Sequence, residues 1–143
     1  MFIEWNKDYE LGIAQIDEQH KHLIDLINKL DGARHSHSPK ECIEKVFLEL
    51  INYSNYHFTL EERAMKNENY SRLDLHISSH DLFVQYIHKC YYKNKKNDYF
   101  AISDALKFLS DWIVDHIMVE DRNFTMILLD QPHHDQYQKA AHR

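Results

Sequence analysis

Four stretches of the chain repeat apolar residues three and four positions apart, and each of these stripes also contains histidine. This spacing is that of one face of an α-helix, so each stretch predicts an amphipathic helix. Only 2 glycines and 2 prolines occur in 143 residues, which argues against a turn-rich β fold. We therefore expect an all-α protein that folds as an up-down-up-down four-helix bundle.

Local signals predict where the helices begin and end. Asp17 is the expected N-cap of the first helix, and Gly32 is its expected end. Ser38 and Glu41 predict a capping box at the start of the second helix. The third helix is expected over residues 71–93.

The fourth helix is expected from about Tyr99 to just beyond His116. We also expect an extended N-terminal arm before the first helix, and a short C-terminal helical segment at "NFTMILLD". The bundle is predicted to form one domain over residues 1–131, and residues 132–143 are predicted to be a polar tail.

The composition limits the expected partners and compartment. The formal net charge is −6, and an acidic chain without a basic stripe is a poor nucleic-acid binder. No apolar run approaches the roughly 18–20 residues of a membrane span, and the N-terminus lacks the pattern of a signal peptide. We expect a cytoplasmic protein with no membrane span. Cys42 and Cys90 are expected to be small buried or half-buried residues, and their spacing does not support a disulfide between them but leaves one open.

Histidine is unusually frequent, with 12 residues that are spread along the chain. Five of them continue the apolar stripes and are expected to point into the bundle core: His20, His57, His76, His80 and His116. The pairs His57–Glu61 and His76–His80 are four residues apart, which places each pair on one helix face. Buried polar groups need partners. A shared metal site satisfies them more simply than the alternative, in which each histidine has its own hydrogen bond.

The number of donors favours two metal ions over one. Imidazole and carboxylate groups suit iron, zinc, copper or nickel, but one closed zinc site takes only about four donors. These observations leave open which carboxylate binds a metal ion together with His116, Glu120 or Asp121. Helix geometry favours Glu120, which lies on the same helix face, whereas Asp121 lies about 140° away on an ideal helix. By the same geometry, Glu62 is expected to face outward.

The motifs around these residues resemble those of the single-domain bacterial hemerythrins. They read "IDEQHKHLIDLIN", "YHFTLEE", "HISSH" and "HIMVED", and the N-terminal "W…LGIAQIDEQH" is also similar. The likeness covers residues 2–130. It implies a non-haem di-iron centre with seven ligands: His20, His57, Glu61, His76, His80, His116 and Asp121.

The resemblance also implies how the ligands are shared. One iron would be held by three histidines: His76, His80 and His116. The other would be held by two: His20 and His57. Glu61 and Asp121 would bridge the irons together with an oxo or hydroxo group. The iron with two histidines would keep an open position for O2. The choice of Asp121 requires the helix to end or loosen just after His116.

Five neutral imidazoles and two carboxylates differ from the carboxylate-rich sites of ferritin-like di-iron proteins. From this difference we expect the site to hold O2 without cleaving it. The resemblance implies reversible O2 binding for carriage, storage or delivery, without enzymatic activity. An oxygen-consuming enzyme or a redox partner is an expected protein partner, and the sequence does not identify which molecule receives the O2. The alternatives are a di-iron redox enzyme, including one for iron-centre repair, and an O2, NO or redox sensor. Four residues near the ligands are expected to form a dry O2 pocket: Ile24, Phe58, Ile113 and Ile117.

Overall fold

The computed structural model describes residues 2–98 and 100–130. Four long helices occur in this part of the chain: α1 (Ala14–His35), α2 (Lys40–Asn67), α3 (Leu73–Lys95) and α4 (Ala101–Asp115). A π-helical segment, His116–Asp121, joins α4 directly to a short helix α5 (Arg122–Leu129). The helices α1 and α3 each pack against both α2 and α4. The predicted all-α four-helix bundle is confirmed, while the predicted tail at 132–143 lies outside the described residues.

Asn28 of α1 holds the start of the N-terminal arm in place. Asn28 accepts hydrogen bonds at its Oδ1 from the backbone N–H groups of Phe2 and Ile3, both at 2.8 Å. Its Nδ2 donates to the carbonyl of Ile3 at 2.7 Å. The arm also contains a short 3₁₀ helix, Lys7–Tyr9. These contacts hold the arm across the helix that contributes the first predicted site residue.

Both predicted ends of the first helix differ from the structure. The helix α1 begins at Ala14, and the Asp17 carboxylate accepts a hydrogen bond from the backbone N–H of Leu11 at 2.8 Å. Asp17 therefore stabilises the turn before the helix instead of capping it. The helix continues through Gly32 to His35. An internal glycine costs only about 1 kcal/mol, which the packing of α1 in the bundle offsets.

The predicted capping box is absent at the start of α2. Pro39 is the N-cap, and no side chain makes a capping hydrogen bond. Ser38 Oγ instead lies 2.9 Å from Ser36 Oγ. The helix still extends over 28 residues, because burial of its apolar stripe stabilises it by more than the roughly 1 kcal/mol that a cap contributes.

Two apolar clusters fill the interior. The main core lies between the four long helices and includes several side chains that are almost fully buried: Phe47, Leu50, Phe83, Ile87 and Leu109. A smaller cluster joins α5 to the residue before α1 and to the end of α2: Ile13, Met65, Tyr70, Phe124 and Leu128. In the part of the chain that the structure describes, no helix combines the length and apolarity that a membrane crossing requires.

The two cysteines occupy different environments. Cys90 belongs to the main core, as expected, whereas Cys42 is exposed, so the expectation of burial is wrong for Cys42. Both thiols are free. Cys42 lies in the first turn of α2 and lines a surface cavity together with Lys29 and Ala33 of α1.

Candidate metal centre

All seven side chains that the sequence singled out lie in one buried cluster, and none is more than 5 % exposed. The four long helices do not contribute equally to it. The helix α1 supplies one histidine, α2 a histidine and a glutamate, α3 two histidines, and the π-helical segment a histidine and an aspartate: His20, His57, Glu61, His76, His80, His116 and Asp121.

The Glu61 carboxylate lies between two groups of histidine nitrogens. Its Oε1 is 3.0–3.3 Å from the Nε2 atoms of three histidines: His76, His80 and His116. Its Oε2 is 3.2 Å from His57 Nε2 and 4.0 Å from His20 Nε2. Each oxygen of one carboxylate therefore faces its own group of imidazoles, which is the arrangement that a carboxylate needs to serve two positions at once.

Asp121 also contacts histidines of both groups. Its Oδ1 lies 2.9 Å from His76 Nε2, and its Oδ2 lies 2.8 Å from the Nε2 atoms of both His20 and His116. The donor atoms form two overlapping sets, in each of which all atoms lie within 4.8 Å of one another. Both sets contain Glu61 and His116, so His116 stands at the boundary between the two positions.

The π-helical segment explains why Asp121 reaches the cluster. On an ideal α-helix a residue five positions after His116 points about 140° away. In a π-helix the backbone hydrogen bonds connect residues i and i+5, which brings His116 and Asp121 onto one face. Glu120 lies outside the cluster, with its Oε2 3.1 Å from the outer nitrogen of His116, Nδ1. Simple helix geometry favoured Glu120 because it assumes α-helical turns throughout.

Several buried polar atoms of the cluster lack a well-directed hydrogen bond among the described residues: His20 Nε2, His57 Nε2, His116 Nε2, Glu61 Oε2 and Asp121 Oδ2. Within this set, the histidine Nε2 atoms lie 2.8–4.0 Å from the carboxylate oxygens. Donors around one transition-metal ion are about 3 Å apart when each lies about 2.1 Å from it. Leaving such atoms unpaired costs several kcal/mol, and bound cations offset that cost. The donor set therefore fits metal ions.

The carboxylates and histidines of the cluster shift one another's pKa values. Burial alone lowers the pKa of His116, but Asp121 and Glu61 outweigh burial and raise that pKa well above its usual value. Burial also opposes protonation of His76, yet the same carboxylates raise its pKa to about 9. For Glu61, burial raises the pKa, but His116 and His57 hold it well below its usual range. These pKa shifts favour ionised carboxylates and protons on His76 and His116 in the metal-free protein, and bound cations would displace those protons.

Three side chains outside the set of seven expected ligands contact outer histidine nitrogens. The Nδ1 atoms of His57, His80 and His116 lie close to oxygens of Gln19 (2.6 Å), Glu62 (2.7 Å) and Glu120 (3.1 Å), respectively. The expectation that Glu62 faces outward is wrong, because its long side chain folds back over His80. A sequence signal was available, since each of the three residues is the immediate neighbour of a cluster residue.

Aromatic rings cover two of the histidines. The Phe58 ring stacks on His80, with centroids 4.0 Å apart and planes 7° apart. The Trp112 ring stacks on His116 at 4.3 Å and 17°. Trp112 precedes His116 by four residues, so the i, i+4 rule would have identified this contact. The four expected pocket residues are all buried, with exposed fractions of 0–3 %: Ile24, Phe58, Ile113 and Ile117.

A cleft of about 200 Å³ reaches the cluster from one side. It opens between the start of α1 and the second half of α2, and its inner wall includes Gln19, His57 and Glu61. Its outer walls are largely apolar, with Ile13, Ile16, Leu60 and Ala64 among the lining residues. The cleft therefore leads to the group of two histidines.

The bundle and its buried cluster define a helical protein with a site suited to metal binding. Residues 11–128 match the family model described as Hemerythrin HHE cation binding domain. The chain belongs to the hemerythrin family, as its motifs indicated, and this domain binds a non-haem metal centre.

Relatives match most of the chain. A bacteriohemerythrin of Clostridium acetobutylicum is 31% identical over 130 residues, which cover 87% of this chain and 98% of the relative. A bacteriohemerythrin of Pseudomonas aeruginosa is 31% identical over 121 residues, which cover 84% of this chain and 77% of the relative. A hemerythrin-like protein of Naegleria gruberi is 30% identical over 125 residues, or 87% and 92% of the two chains.

Proposed function

We propose that the chain binds O2 reversibly at a di-iron centre and so carries, stores or delivers oxygen. The observation that carries this proposal is the position of Glu61, whose two oxygens face separate groups of imidazole nitrogens. This arrangement supports two ions instead of one. Family membership supports iron and O2, because hemerythrin-family proteins are mostly O2-binding or sensing proteins.

The proposed roles of the residues follow the grouping around Glu61. One ion would be held by the histidines that face Glu61 Oε1, which are His76, His80 and His116. The other ion would be held by the histidines that face Glu61 Oε2, which are His20 and His57. Glu61 and Asp121 would contact both ions. When bound, the iron pair supplies the electrons and the open coordination position that O2 binding requires. With His116 assigned to the first ion, the ion beside His20 and His57 would have fewer histidine ligands, and O2 would bind on that side.

The access route agrees with that choice. The cleft between α1 and α2 ends at His57 and Glu61, on the side of the two histidines. Its apolar walls suit a small uncharged molecule such as O2. Around the rest of the centre, buried side chains exclude water and limit oxidative loss of the O2-binding form: Ile24, Phe58, Ile113 and Ile117.

The test is an anaerobic Fe(II) titration of the metal-free protein, followed by admission and removal of O2. We expect two irons per chain, and a visible absorption band that appears with O2 and fades when O2 is removed. Replacement of a proposed ligand, His57→Ala, should reduce the bound iron. The matched control is His22→Ala, because His22 is on the same bundle but packs against Tyr53, outside the cluster.

Two results would contradict the proposal at different levels. Binding of fewer than two irons per wild-type chain would exclude the proposed di-iron centre. Two bound irons with immediate, irreversible conversion to an oxidised spectrum would leave the centre intact but exclude oxygen carriage. That second result would favour a redox enzyme, a sensor or an iron-repair protein.

A further inference from the structure

The outer nitrogens of the clustered histidines have different partners on the two sides of Glu61. On the side of its Oε1, His80 Nδ1 and His116 Nδ1 contact the carboxylates of Glu62 and Glu120 at 2.7 Å and 3.1 Å. On the side of its Oε2, His57 Nδ1 contacts the neutral amide oxygen of Gln19 at 2.6 Å. The outer nitrogen of His20 is buried without a hydrogen-bond partner among the described residues.

These partners affect how strongly each imidazole donates to a metal. A histidine that ligates through Nε2 carries its proton on Nδ1, and the acceptor of that proton sets the orientation and basicity of the ring. A carboxylate forms a charge-assisted hydrogen bond, which is stronger than one to an amide. His80 and His116 are therefore better donors than His57, and His20 has no such support.

The two carboxylates are held in place and only partly screened by water. Their side chains are 29 % exposed for Glu62 and 28 % exposed for Glu120. Ser79 donates a hydrogen bond from Oγ to Glu120 Oε2 at 3.2 Å, which fixes that side chain against α3. Partly buried charges retain more of their electrostatic effect than charges in open solvent.

We propose that Glu62 and Glu120 are positioning residues that make the two metal positions unequal. The ion beside His76, His80 and His116 is bound first and more tightly, and the ion beside His20 and His57 is bound second and more weakly. This inference rests on the proposed di-iron function and extends it, because the weaker position is also the one that the cleft reaches. The partners of the outer nitrogens thus make the ion on the side assigned to O2 the more weakly bound of the two.

The test replaces a charged side chain by a neutral one of nearly the same shape, or the reverse, and we call these substitutions the charge-exchange variants. Glu62→Gln and Glu120→Gln remove a carboxylate from the tighter side, and Gln19→Glu adds one to the weaker side. The surface control is Glu18→Gln, since Glu18 forms an exposed ion pair with Lys21 and its side chain is 70 % exposed. Binding of Fe(II) to each metal-free variant is measured anaerobically in competition with a chelator. The unfolding midpoint of each metal-free variant identifies any general loss of structure.

We expect the wild type to bind two irons in two distinguishable steps. Each Glu→Gln variant should weaken the tighter step by about 10- to 100-fold, the usual effect of changing a partner of a ligating histidine, and leave the weaker step unchanged. Gln19→Glu should strengthen the weaker step and so reduce the difference in affinity between the two steps. Glu18→Gln should change the affinity of neither step. Because Gln19→Glu predicts a gain, damage to the fold cannot imitate its effect.

The outcomes separate this inference from the proposed function. If the wild type binds fewer than two irons, the di-iron function fails and the inference fails with it. If the wild type binds two irons in indistinguishable steps, the inequality is overturned while the di-iron function stands. If its steps are distinct but the charge-exchange variants shift neither step, or shift both equally, the proposed role of Glu62 and Glu120 is overturned and the di-iron function again stands.

Discussion

Ile113 tests whether a dry environment protects the centre. It is 1 % exposed and adjoins Trp112, whose ring stacks on His116. Ile113→Thr places a hydroxyl group near the centre, whereas Ile113→Val has nearly the same shape without a polar atom. We expect the Thr variant to lose its O2-binding form several-fold faster than the Val variant, because a buried hydroxyl attracts water. The decay of the visible band in air gives the rates, and equal rates for the two variants would contradict the proposed role.

The cysteines provide a second prediction for single residues. Burial raises the pKa of Cys90 to about 11, while Cys42 is exposed. At pH 8 a thiol reagent should label one cysteine per native chain and two per unfolded chain, because the thiolate is the reactive form. Cys42→Ser should leave no rapidly labelled thiol in the native protein. Two rapidly labelled thiols in the native wild type would show that Cys90 is accessible.

The same pKa shift predicts how stability depends on pH. The pKa of Cys90 is raised in the folded state from its ordinary value of 9.0, so folding favours the neutral thiol. This contribution to stability is fully present below about pH 9 and is lost as the pH rises toward 11. Cys90→Ala should therefore show a smaller loss of unfolding free energy between pH 9 and pH 11 than the wild type, as measured by urea unfolding. Identical losses of unfolding free energy in the wild type and in Cys90→Ala would contradict a raised pKa of Cys90 in the folded state.

Helical spacing predicted which side chains share the cluster, because five histidines and Glu61 continue apolar stripes that the bundle has to bury. It favoured Glu120 over Asp121, because the π-helical turn that brings Asp121 into the cluster is not encoded in side-chain spacing. The family resemblance selected Asp121, the residue that lies in the cluster. Glu62 shows a further limit, because the position of a Cα atom does not determine where a long side chain ends.

At the scale of single elements, α5 depends on one buried ring. Phe124 is fully buried in the smaller apolar cluster, with its ring 5.1 Å from that of Tyr70, whereas Met126 on the same helix is 60 % exposed. Phe124→Ala should lower the unfolding free energy by about 3–5 kcal/mol. Met126→Ala should change it by no more than about 0.5 kcal/mol. Urea unfolding of the metal-free protein measures both, and equal effects would mean that α5 does not pack as described.

The existence of the helices was easier to predict than their ends. The third helix was expected over 71–93 and occurs at Leu73–Lys95. The larger error is at Gly32, where the sequence predicted an end but the helix continues to His35. Caps and single glycines contribute only about 1 kcal/mol each. Packing between helices, which a local pattern does not contain, therefore decides such boundaries.

For the whole molecule, metal binding should increase stability because the complete cluster exists only in the folded chain. An ion that binds only the folded state at 100 times its Kd adds about 2.7 kcal/mol. For a chain of this size that corresponds to a rise in Tm of roughly 5–10 °C. Anaerobic thermal unfolding with and without Fe(II) measures the rise. His22→Ala should retain it and His57→Ala should show a smaller one, whereas no rise in the wild type would contradict binding within the folded cluster.

The central claim is tested most directly by counting O2 molecules through repeated cycles. The Fe(II)-loaded protein is exposed to a known amount of O2 in a closed cell, and the gas is then removed while the dissolved O2 is recorded. We predict that one O2 is taken up per pair of irons, and that the same amount is returned in each cycle. Uptake without return would show that the chain consumes O2, and would contradict its assignment as an oxygen-binding protein.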